Sequence, residues 1–476
     1  MKKMINKISL AIIFFIIWYS GTLMLWCHSP VQYSDSGLGL TFNSMIEHML
    51  HGRFDVDPQS VGEEGFLRDG RVYAYWGIFP ALLRLPLLVL PHGVNLDVTR
   101  LSCIIATLLM FFINYKSWLY LCRRSLERCS WLKKYLFFCL ALSGAQVCFL
   151  RSSLFQEVCL WSLVFGLLFV HWALRACLDP AETPRALIWM ATAALLALLT
   201  RVSMGIGLYA ATSTFGLLTL WRHYRQGAGD KTPRSFSYLL PCVGAIAILV
   251  AGIGLTALVN DQRWGNPLTF ANYDFYILNA KYPDRLLRTV QYGLFNIQRI
   301  PLGIIYFFFP VWIFHWGNGA LILQESFSRL VDASELPPSS FFLTDGFLLL
   351  LGGFCLFALC RRSPTGTMDK AGTWAIILGL LSAPFLMLMA ISMNFRYRAE
   401  FYPLIVFMAF MGADFVAKTF THNKNLKKFS LLLVILSIIA SHIVLILYLV
   451  SNFGPPTTLL TKGVVQYYVS RFGGSW

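Results

Sequence analysis

MKKMINKISLAIIFFIIWYSGTLMLW, residues 1–26, places three lysines directly before a long apolar stretch that runs from Ile8 to Trp26. The stretch is long enough for a helix that crosses about 30 Å of hydrocarbon. Because no small-x-small cleavage site follows it, we expect an uncleaved membrane anchor rather than a signal peptide. Lysines at the start of such a segment stay in the cytoplasm, which places the N-terminus there.

The whole chain has the composition of a membrane protein. Of its 476 residues, 57% are hydrophobic, 15% are aromatic and only 13% are charged. So little polar surface cannot cover a water-soluble globule of this length. We therefore predict a single integral membrane domain over residues 1–476, all-α and polytopic, with the lipid bilayer as its solvent.

Eleven apolar stretches are predicted as transmembrane helices. They lie near residues 8–27, 97–121, 135–150, 155–176, 186–200, 202–221, 237–259, 343–360, 372–393, 400–418 and 429–450. With these spans, the loops on the side of the N-terminus hold 21 of the 39 Lys and Arg residues but only six of the 23 Asp and Glu residues. Such a bias orients spans during insertion, so the net charge of +16 predicts topology and does not indicate a nucleic-acid partner.

Two large loops with surface helices are predicted on the opposite, outer side. We call residues 28–96 the first loop and residues 260–342 the central loop. An apolar stretch at 300–316 would move the later basic loops to the outer side if it crossed the membrane. We therefore predict a re-entrant or interfacial element there, broken by Pro301 and Pro310. Seventeen of the 23 acidic residues fall in the outer half, where chemistry is expected.

The first loop carries the acidic candidates. Asp35 comes just before a helical pattern of apolar residues that predicts a helix lying on the membrane surface. An Asp in this position is typical of a helix N-cap, yet the same backbone N–H groups would keep its carboxylate ionised and able to act as a base. Both roles stay open. Asp55 and Asp57 follow in GRFDVDP, and Asp69-Gly70 predicts the tip of a hairpin.

An arginine in the same loop is unusual for its surroundings. The stretch Gly77 to Leu90 is apolar, contains prolines and carries Arg84. A charge at membrane depth costs at least about 2.5 kcal/mol on insertion scales. We therefore expect Arg84 to face an anion or to reach the lipid headgroups.

The order of these features resembles the GT-C superfamily of membrane glycosyltransferases. It is most similar to the bacterial mannosyl- and arabinosyltransferase-like members that take a sugar from a polyprenyl-phosphate carrier. The resemblance covers residues 1 to about 405. After the N-terminal span and the early acidic residue, it is carried by DGRVYAYWGIFPALLRLP at 69–86, SLFQEVCLW at 153–161, LLALLTRVSMGIGL at 195–208, VNDQRWGNPLTFANYDF at 259–275 and NFRYRAEFYPL at 394–404.

The resemblance implies a reaction on the outer, periplasmic face of a bacterial inner membrane. A loop aspartate in the position of Asp35 acts as general base on an acceptor hydroxyl, which attacks the anomeric carbon with inversion while the lipid phosphate leaves. The enzyme would be a hexosyl- or pentosyltransferase. Many members carry two adjacent acids, whereas Asp35 lies between serines, so Asp55 or Asp57 would be the second carboxylate.

Two further groups of residues follow from this reaction. A leaving phosphate needs positive charge around it, and the candidates to supply that charge are Arg71, Arg84, Arg201, Arg396 and Arg398. Structural roles remain as alternatives for three of these arginines. Arg201 would only anchor a hairpin tip, and Arg396 and Arg398 would pair with Glu400. The candidates for contacts to the sugar or the acceptor are Tyr73, Glu157, Arg263, Trp264 and Glu400. Most aromatic residues of the central loop are expected in an interfacial belt.

No bound cofactor is expected. The chain has no Walker loop, Rossmann fingerprint or zinc-type ligand spacing, and the single Asp35 weakens a divalent-metal site. The donor would be a polyprenyl-phosphate sugar, and the acceptor a glycan, a lipid or a protein. Two other functions stay open: a polysaccharide polymerase or ligase of the O-antigen type, which relies on arginines without an acid, and a transporter, which would carry charges in its spans and an internal repeat.

Overall fold

The computed structural model describes residues 18–22, 24, 29–227, 236–309, 326, 329–332, 339–361, 369–450 and 464–473. The first predicted span, 8–27, lies mostly outside the described residues, and so does the second half of the apolar stretch at 300–316. Over the described residues the chain is helical, apart from turns and two small two-stranded sheets.

Seven described segments are long and apolar enough to cross a membrane. Their helices are Thr99–Arg124, Leu154–Leu178, Val202–Gly227, Phe236–Trp264, Lys370–Leu380 with Ser382–Met389, Tyr402–Thr419 and Lys424–Val450. The shorter helices are Thr41–Leu50, Pro58–Val61, Phe79–Leu82, Ser130–Leu142, Ala145–Cys148, Thr183–Leu198, Pro283–Tyr292, Ile300–Phe308, Phe341–Thr344, Gly346–Cys360 and Val464–Arg471. The all-α membrane architecture is therefore confirmed, whereas the count of eleven spans and the cytoplasmic N-terminus remain predictions.

Three of the predicted spans are shorter than a full crossing. The stretch predicted at 135–150 is broken after Leu142, where Gly144 adopts a φ of +55°. This left-handed conformation suits glycine, and a Cβ atom there would lie 2.0 Å from a carboxylate oxygen of Asp345. The other two spans, predicted at 186–200 and 343–360, are the helices Thr183–Leu198 and Gly346–Cys360.

The centre of the molecule is formed by the helices Leu154–Leu178 and Tyr402–Thr419, whose side chains are mostly buried. They contact each other, and Thr99–Arg124 and Thr183–Leu198 pack against the first of them. The peripheral helix Lys424–Val450 instead leaves large apolar side chains exposed along one face, among them Leu432, Ile435, Ile439 and Ile446. An apolar face of this extent requires lipid around it.

The first loop folds onto the ends of these helices. Strand Gln32–Tyr33 pairs with Leu96–Asp97, which brings the two ends of the loop together. Strands Phe66–Arg68 and Arg71–Tyr73 form the predicted hairpin. Its turn residues, Asp69 and Gly70, have φ values of +52° and +76°, as the tight turns of hairpins require.

The predicted amphipathic helix of the first loop is present as Thr41–Leu50. Its apolar residues Phe42, Met45 and Ile46 are buried and pack against a cluster that includes Trp76 and Val158. The apolar stripe is thus covered by protein, which differs from the prediction that it rests on the membrane surface. Sequence periodicity identifies a buried face, but it does not tell what covers that face.

Candidate functional site

A cavity of about 460 Å³ lies where the first loop, the central loop and the ends of several membrane helices meet. We call it the main cavity. Three cations, Arg201, Arg285 and Arg396, line it together with one carboxylate, Glu64. Its aromatic lining residues are Tyr75, Trp76, Phe155, Phe270, Tyr273, Tyr276, Phe295 and Tyr397. One wall is apolar and includes Ile206, Leu386, Met387 and Ile391. This size and this mixture of walls are typical of a small-molecule site.

The first loop reaches the cavity through a close backbone contact. The N–H of Phe79 donates a hydrogen bond of 2.9 Å to the carbonyl oxygen of Leu199, at the end of the helix Thr183–Leu198. A Cβ atom at Gly77 would lie 2.1 Å from the same oxygen. Only glycine permits this approach, which places the loop beside Arg201 in the next turn.

Arg201 lies between the helices Thr183–Leu198 and Val202–Gly227, at the predicted hairpin tip. Its guanidinium lies 4.9 Å from the ring centroid of Tyr397, and its Nε donates to Oε1 of Glu400. The same oxygen accepts a 2.7 Å hydrogen bond from the hydroxyl of Ser203. Glu400 is fully buried, whereas 17% of the Arg201 side chain remains exposed. Of the three Arg201 side-chain nitrogens, Nε is the one that donates to Glu400.

Arg396 also lies beside the Tyr397 ring. Its guanidinium lies 4.5 Å from the ring centroid of Phe155 and 5.7 Å from that of Tyr397. Two of the five predicted phosphate-binding arginines, Arg201 and Arg396, are thus brought together at one cavity, although they are far apart in sequence. Two cations in one partly apolar pocket attract an anion.

Two other predicted arginines are buried in ion pairs within the protein. Arg84 is 1% exposed and makes two contacts, 2.7 and 2.8 Å, to the carboxylate of the fully buried Glu157, while its Nε donates to Asn43 at 3.2 Å. The anion that Arg84 was expected to face is therefore a carboxylate of the protein itself. This arrangement favours structural roles for both Arg84 and Glu157.

Arg398 is likewise buried. It donates to the hydroxyls of Ser339 at 2.7 Å and Thr344 at 2.6 Å, and it lies 3.4 Å from Asp345. The structure pairs Glu400 with Arg201 and pairs Arg398 with Asp345. Arg71, the fifth predicted arginine, is exposed on the hairpin and does not belong to the lining residues.

The three predicted catalytic aspartates lie in the first loop but outside the lining of the main cavity. Asp35 is exposed and accepts a 3.2 Å hydrogen bond from Asn95. It caps no helix, because the next helical turn, Leu38–Leu40, has Gly37 at its N-cap. The N-cap role is therefore not observed.

Asp55 and Asp57 flank one histidine. Their carboxylates lie 3.3 and 3.4 Å from the two ring nitrogens of His48, and Asp57 accepts a further bond of 2.8 Å from Ser44. Both His48 and Ser44 belong to the helix Thr41–Leu50. The contacts fasten the chain after this helix to its side, which favours a role in shaping the loop.

The remaining predicted sugar-binding residues support the cavity walls. Arg263 is buried and donates a 2.8 Å hydrogen bond to the carbonyl oxygen of Trp76, a lining residue. Tyr73 and Trp264 pack on each other with ring centroids 6.1 Å apart. Trp264 also packs on Phe66 of the hairpin at 5.3 Å. The central loop thus uses its aromatic residues partly to hold the hairpin, and not only as the interfacial belt that the sequence predicted.

Among the lining residues that were not predicted as site residues, Glu64, Tyr276 and Arg285 carry polar contacts. The hydroxyl of Tyr276 donates a 2.8 Å hydrogen bond to Oε2 of Glu64. Burial raises the pKa of Tyr276, and the nearby Glu64 carboxylate raises it further, so the phenol remains a donor. Arg285 lies 4.9 Å from the Tyr276 ring centroid and pairs with Asp332 at 2.8 Å.

The sequence carries only a weak signal that Glu64 belongs to the site. It stands in EEGFLRDG, directly before the hairpin, and nothing local distinguishes it from its neighbour Glu63. Its partner Tyr276 lies in the other loop. Among the described residues, no group of three or more His, Cys, Asp or Glu side chains is placed to hold a metal ion.

No protein-family model matches the chain, and no curated protein matches it in sequence. Among solved structures, the chain is similar to the oligosaccharyltransferase of Archaeoglobus fulgidus in the apo form, with a TM-score of 0.47 and 12% identity, over 92% of this chain and 55% of that one. A second structure, archaeal oligosaccharyltransferase AglB from Archaeoglobus fulgidus in complex with an inhibitory peptide and a dolichol-phosphate, gives a TM-score of 0.48 and 11% identity, with the same coverage. The chain therefore spans little more than half the length of these proteins.

Proposed function

We propose that this protein is a membrane glycosyltransferase that moves a sugar from a polyprenyl-phosphate carrier to an acceptor hydroxyl, with inversion of the anomeric carbon. The observation that carries the proposal is the main cavity, where two arginines, aromatic rings and an apolar wall face one space. A lipid-linked sugar phosphate has an anionic, a sugar and a hydrocarbon part. The arginines match the anionic part, the aromatic rings match the sugar, and the apolar wall matches the hydrocarbon.

The carrier phosphate binds between Arg201 and Arg396. When the bond between the anomeric carbon and the phosphate oxygen breaks, its electron pair stays on the phosphate. The growing negative charge is stabilised by charge-assisted hydrogen bonds from guanidinium groups that are already in place. The phosphate binds the terminal nitrogens of Arg201, while Nε stays bonded to Glu400.

The isoprenoid chain leaves the cavity along its apolar wall. Ile206, on the helix Val202–Gly227, lines the cavity and is 40% exposed on the molecular surface. Leu386 and Met387 lie across from it on the helix Ser382–Met389. Hydrocarbon placed here stays out of water and continues into the surrounding lipid. The sugar ring packs on the faces of Trp76 and Tyr397.

The cavity opens on the outer, periplasmic side of a bacterial inner membrane, opposite the basic loops. The acceptor is a hydroxyl of a glycan, a lipid or a protein, and its proton goes to a carboxylate of the first loop. The resemblance implies Asp35 for this role. Another carboxylate of the same loop, Glu64, lines the cavity itself.

The proposal is tested with the purified full-length protein and a series of polyprenyl-phosphate sugars, with membrane extracts as acceptors and mass spectrometry of the products. Wild-type protein transfers one of these sugars. Arg201→Ala and Arg396→Ala each lower the rate at least about 100-fold, the loss typical of removing one preorganised group that stabilises charge. Arg100→Ala, which removes a cation outside the cavity that bonds to the Ser29 carbonyl, leaves the rate unchanged.

Two results would overturn this proposal. The first is wild-type protein that neither binds polyprenyl phosphate nor transfers any carrier-linked sugar. The second is full activity of both cavity-arginine variants in protein that is monodisperse and melts at the wild-type temperature.

A further inference from the structure

We infer that Glu64, in place of Asp35, is the carboxylate that takes the proton from the acceptor hydroxyl. The inference rests on the proposed function and assigns its general base. Glu64 is the only carboxylate among the described residues that line the main cavity. A general base must lie within hydrogen-bond reach of the proton that it removes, so a position in the cavity is the first requirement.

The fold holds Glu64 at this position from both loops. The turn Gly62–Glu64 leads into the hairpin, and the N–H of Ile277 donates to the carbonyl oxygen of Gly65 at 3.0 Å. Phe66 and Tyr276 form a further bridge between the two backbones. Glu64 is therefore held near Tyr276 by main-chain contacts of the neighbouring residues, and not only by its own side chain.

The carboxylate is oriented with one oxygen left for a substrate. Oε2 accepts the Tyr276 hydroxyl at 2.8 Å, and no described residue donates to Oε1. A base needs one lone pair free for the incoming proton and benefits from a second contact that restricts its rotation. The Tyr276 hydroxyl supplies that contact, which makes Tyr276 a positioning residue.

Among the lining residues that the structure describes, the first loop contributes no other acid. Asp35 is exposed, is held by Asn95 and lies outside the cavity lining. Asp55 and Asp57 are engaged by His48. Glu63, the neighbour of Glu64, is exposed and pairs with Lys281 at 3.3 Å on the surface.

The step balances. The acceptor O–H gives its proton to Oε1 of Glu64, and the oxygen lone pair forms the new bond to the anomeric carbon. The bond from that carbon to the carrier phosphate breaks, and its electron pair leaves with the phosphate between Arg201 and Arg396. Inversion requires that the acceptor oxygen attack the anomeric carbon from the side opposite the leaving phosphate.

The test compares four full-length proteins: wild type, Glu64→Gln, Glu63→Gln and Asp35→Asn. Two quantities are measured for each, the binding of polyprenyl phosphate without a sugar and the single-turnover rate of transfer. Glu64→Gln binds polyprenyl phosphate as wild type does but transfers at least about 100-fold more slowly, within the range of general-base contributions. Glu63→Gln, a matched change one residue away, keeps both properties, and Asp35→Asn keeps transfer within about threefold.

The outcomes separate this inference from the proposed function. Full transfer by Glu64→Gln together with loss in Asp35→Asn overturns the inference and leaves the glycosyltransferase intact. Full transfer by both variants also overturns it, and favours the acid-independent polymerase or ligase. Glu64→Asp is a further check, because a shorter carboxylate recovers part of the rate if a base is required at this place.

Discussion

At the scale of single residues, the chemistry depends on which charged groups line the main cavity and which are buried away from it. Arg84 and Arg398 look similar to Arg201 and Arg396 in the sequence, yet the first two are each 1% exposed and bound by the protein. Neither Arg84 nor Arg398 lines the main cavity, whereas Arg201 and Arg396 do. The cavity therefore selects Arg201 and Arg396.

A residue-scale prediction concerns Tyr276. Tyr276→Phe keeps the ring and its packing but removes the hydroxyl that orients Glu64. Hydrogen bonds to charged groups contribute about 1.5–3 kcal/mol, so we expect kcat to fall about tenfold or more while KM for the carrier-linked sugar stays unchanged. Steady-state kinetics measure both constants. Tyr282→Phe, an exposed tyrosine nearby, serves as control; an increase in KM with constant kcat would instead indicate a role in binding.

At the scale of elements, the Arg84–Glu157 pair fastens the first loop to the central helix Leu154–Leu178. Both side chains are almost fully buried, and Asn43 extends the contact to the helix Thr41–Leu50. Asn43 in turn donates to the carbonyl oxygens of Val94 and Leu96 near the end of the loop. One network thus holds the loop that carries Glu64.

The element-scale prediction is a double-mutant cycle at this pair. Arg84→Met and Glu157→Met each leave a buried charged group without its partner, and we expect losses of about 3–5 kcal/mol in the free energy of unfolding. The double variant Arg84→Met with Glu157→Met removes both charges and recovers most of that loss. Unfolding curves in detergent measure the effect. Additive losses in the double variant would show that the two side chains do not stabilise the loop as a pair.

At the scale of the whole molecule, the proposed function places the cavity and the basic loops on opposite sides of the membrane. We expect this sidedness from the distribution of Lys and Arg. It can be tested at two exposed positions, Asp69 on the hairpin and Lys424 at the start of the last long helix.

The labelling experiment uses a chain in which Cys27 and Cys360 are replaced by Ser. A membrane-impermeant maleimide added to intact spheroplasts labels Asp69→Cys, whereas Lys424→Cys is labelled only after the membrane is opened. The remaining cysteines that the structure describes are buried, and the parent chain measures their background. Labelling of position 424 before opening would reverse the topology and place the cavity in the cytoplasm.

The sequence by itself determined the membrane class, the approximate limits of the seven long helices and the hairpin at Asp69-Gly70. These features follow from local properties: the hydropathy of a stretch, its length and the φ values that a turn demands. The same local properties identified the helix Thr41–Leu50, but not the protein surface that covers it.

Only the tertiary structure decided which charges share the cavity. Arg84 pairs with Glu157, Arg201 with Glu400 and Glu64 with Tyr276, and in each case the partners lie far apart along the chain. The state of a charged side chain depends on its partner and its burial, and neither is a property of its own stretch of sequence. For this reason Asp35 is the carboxylate that a motif suggests, whereas Glu64 is the one that packing brings to the site.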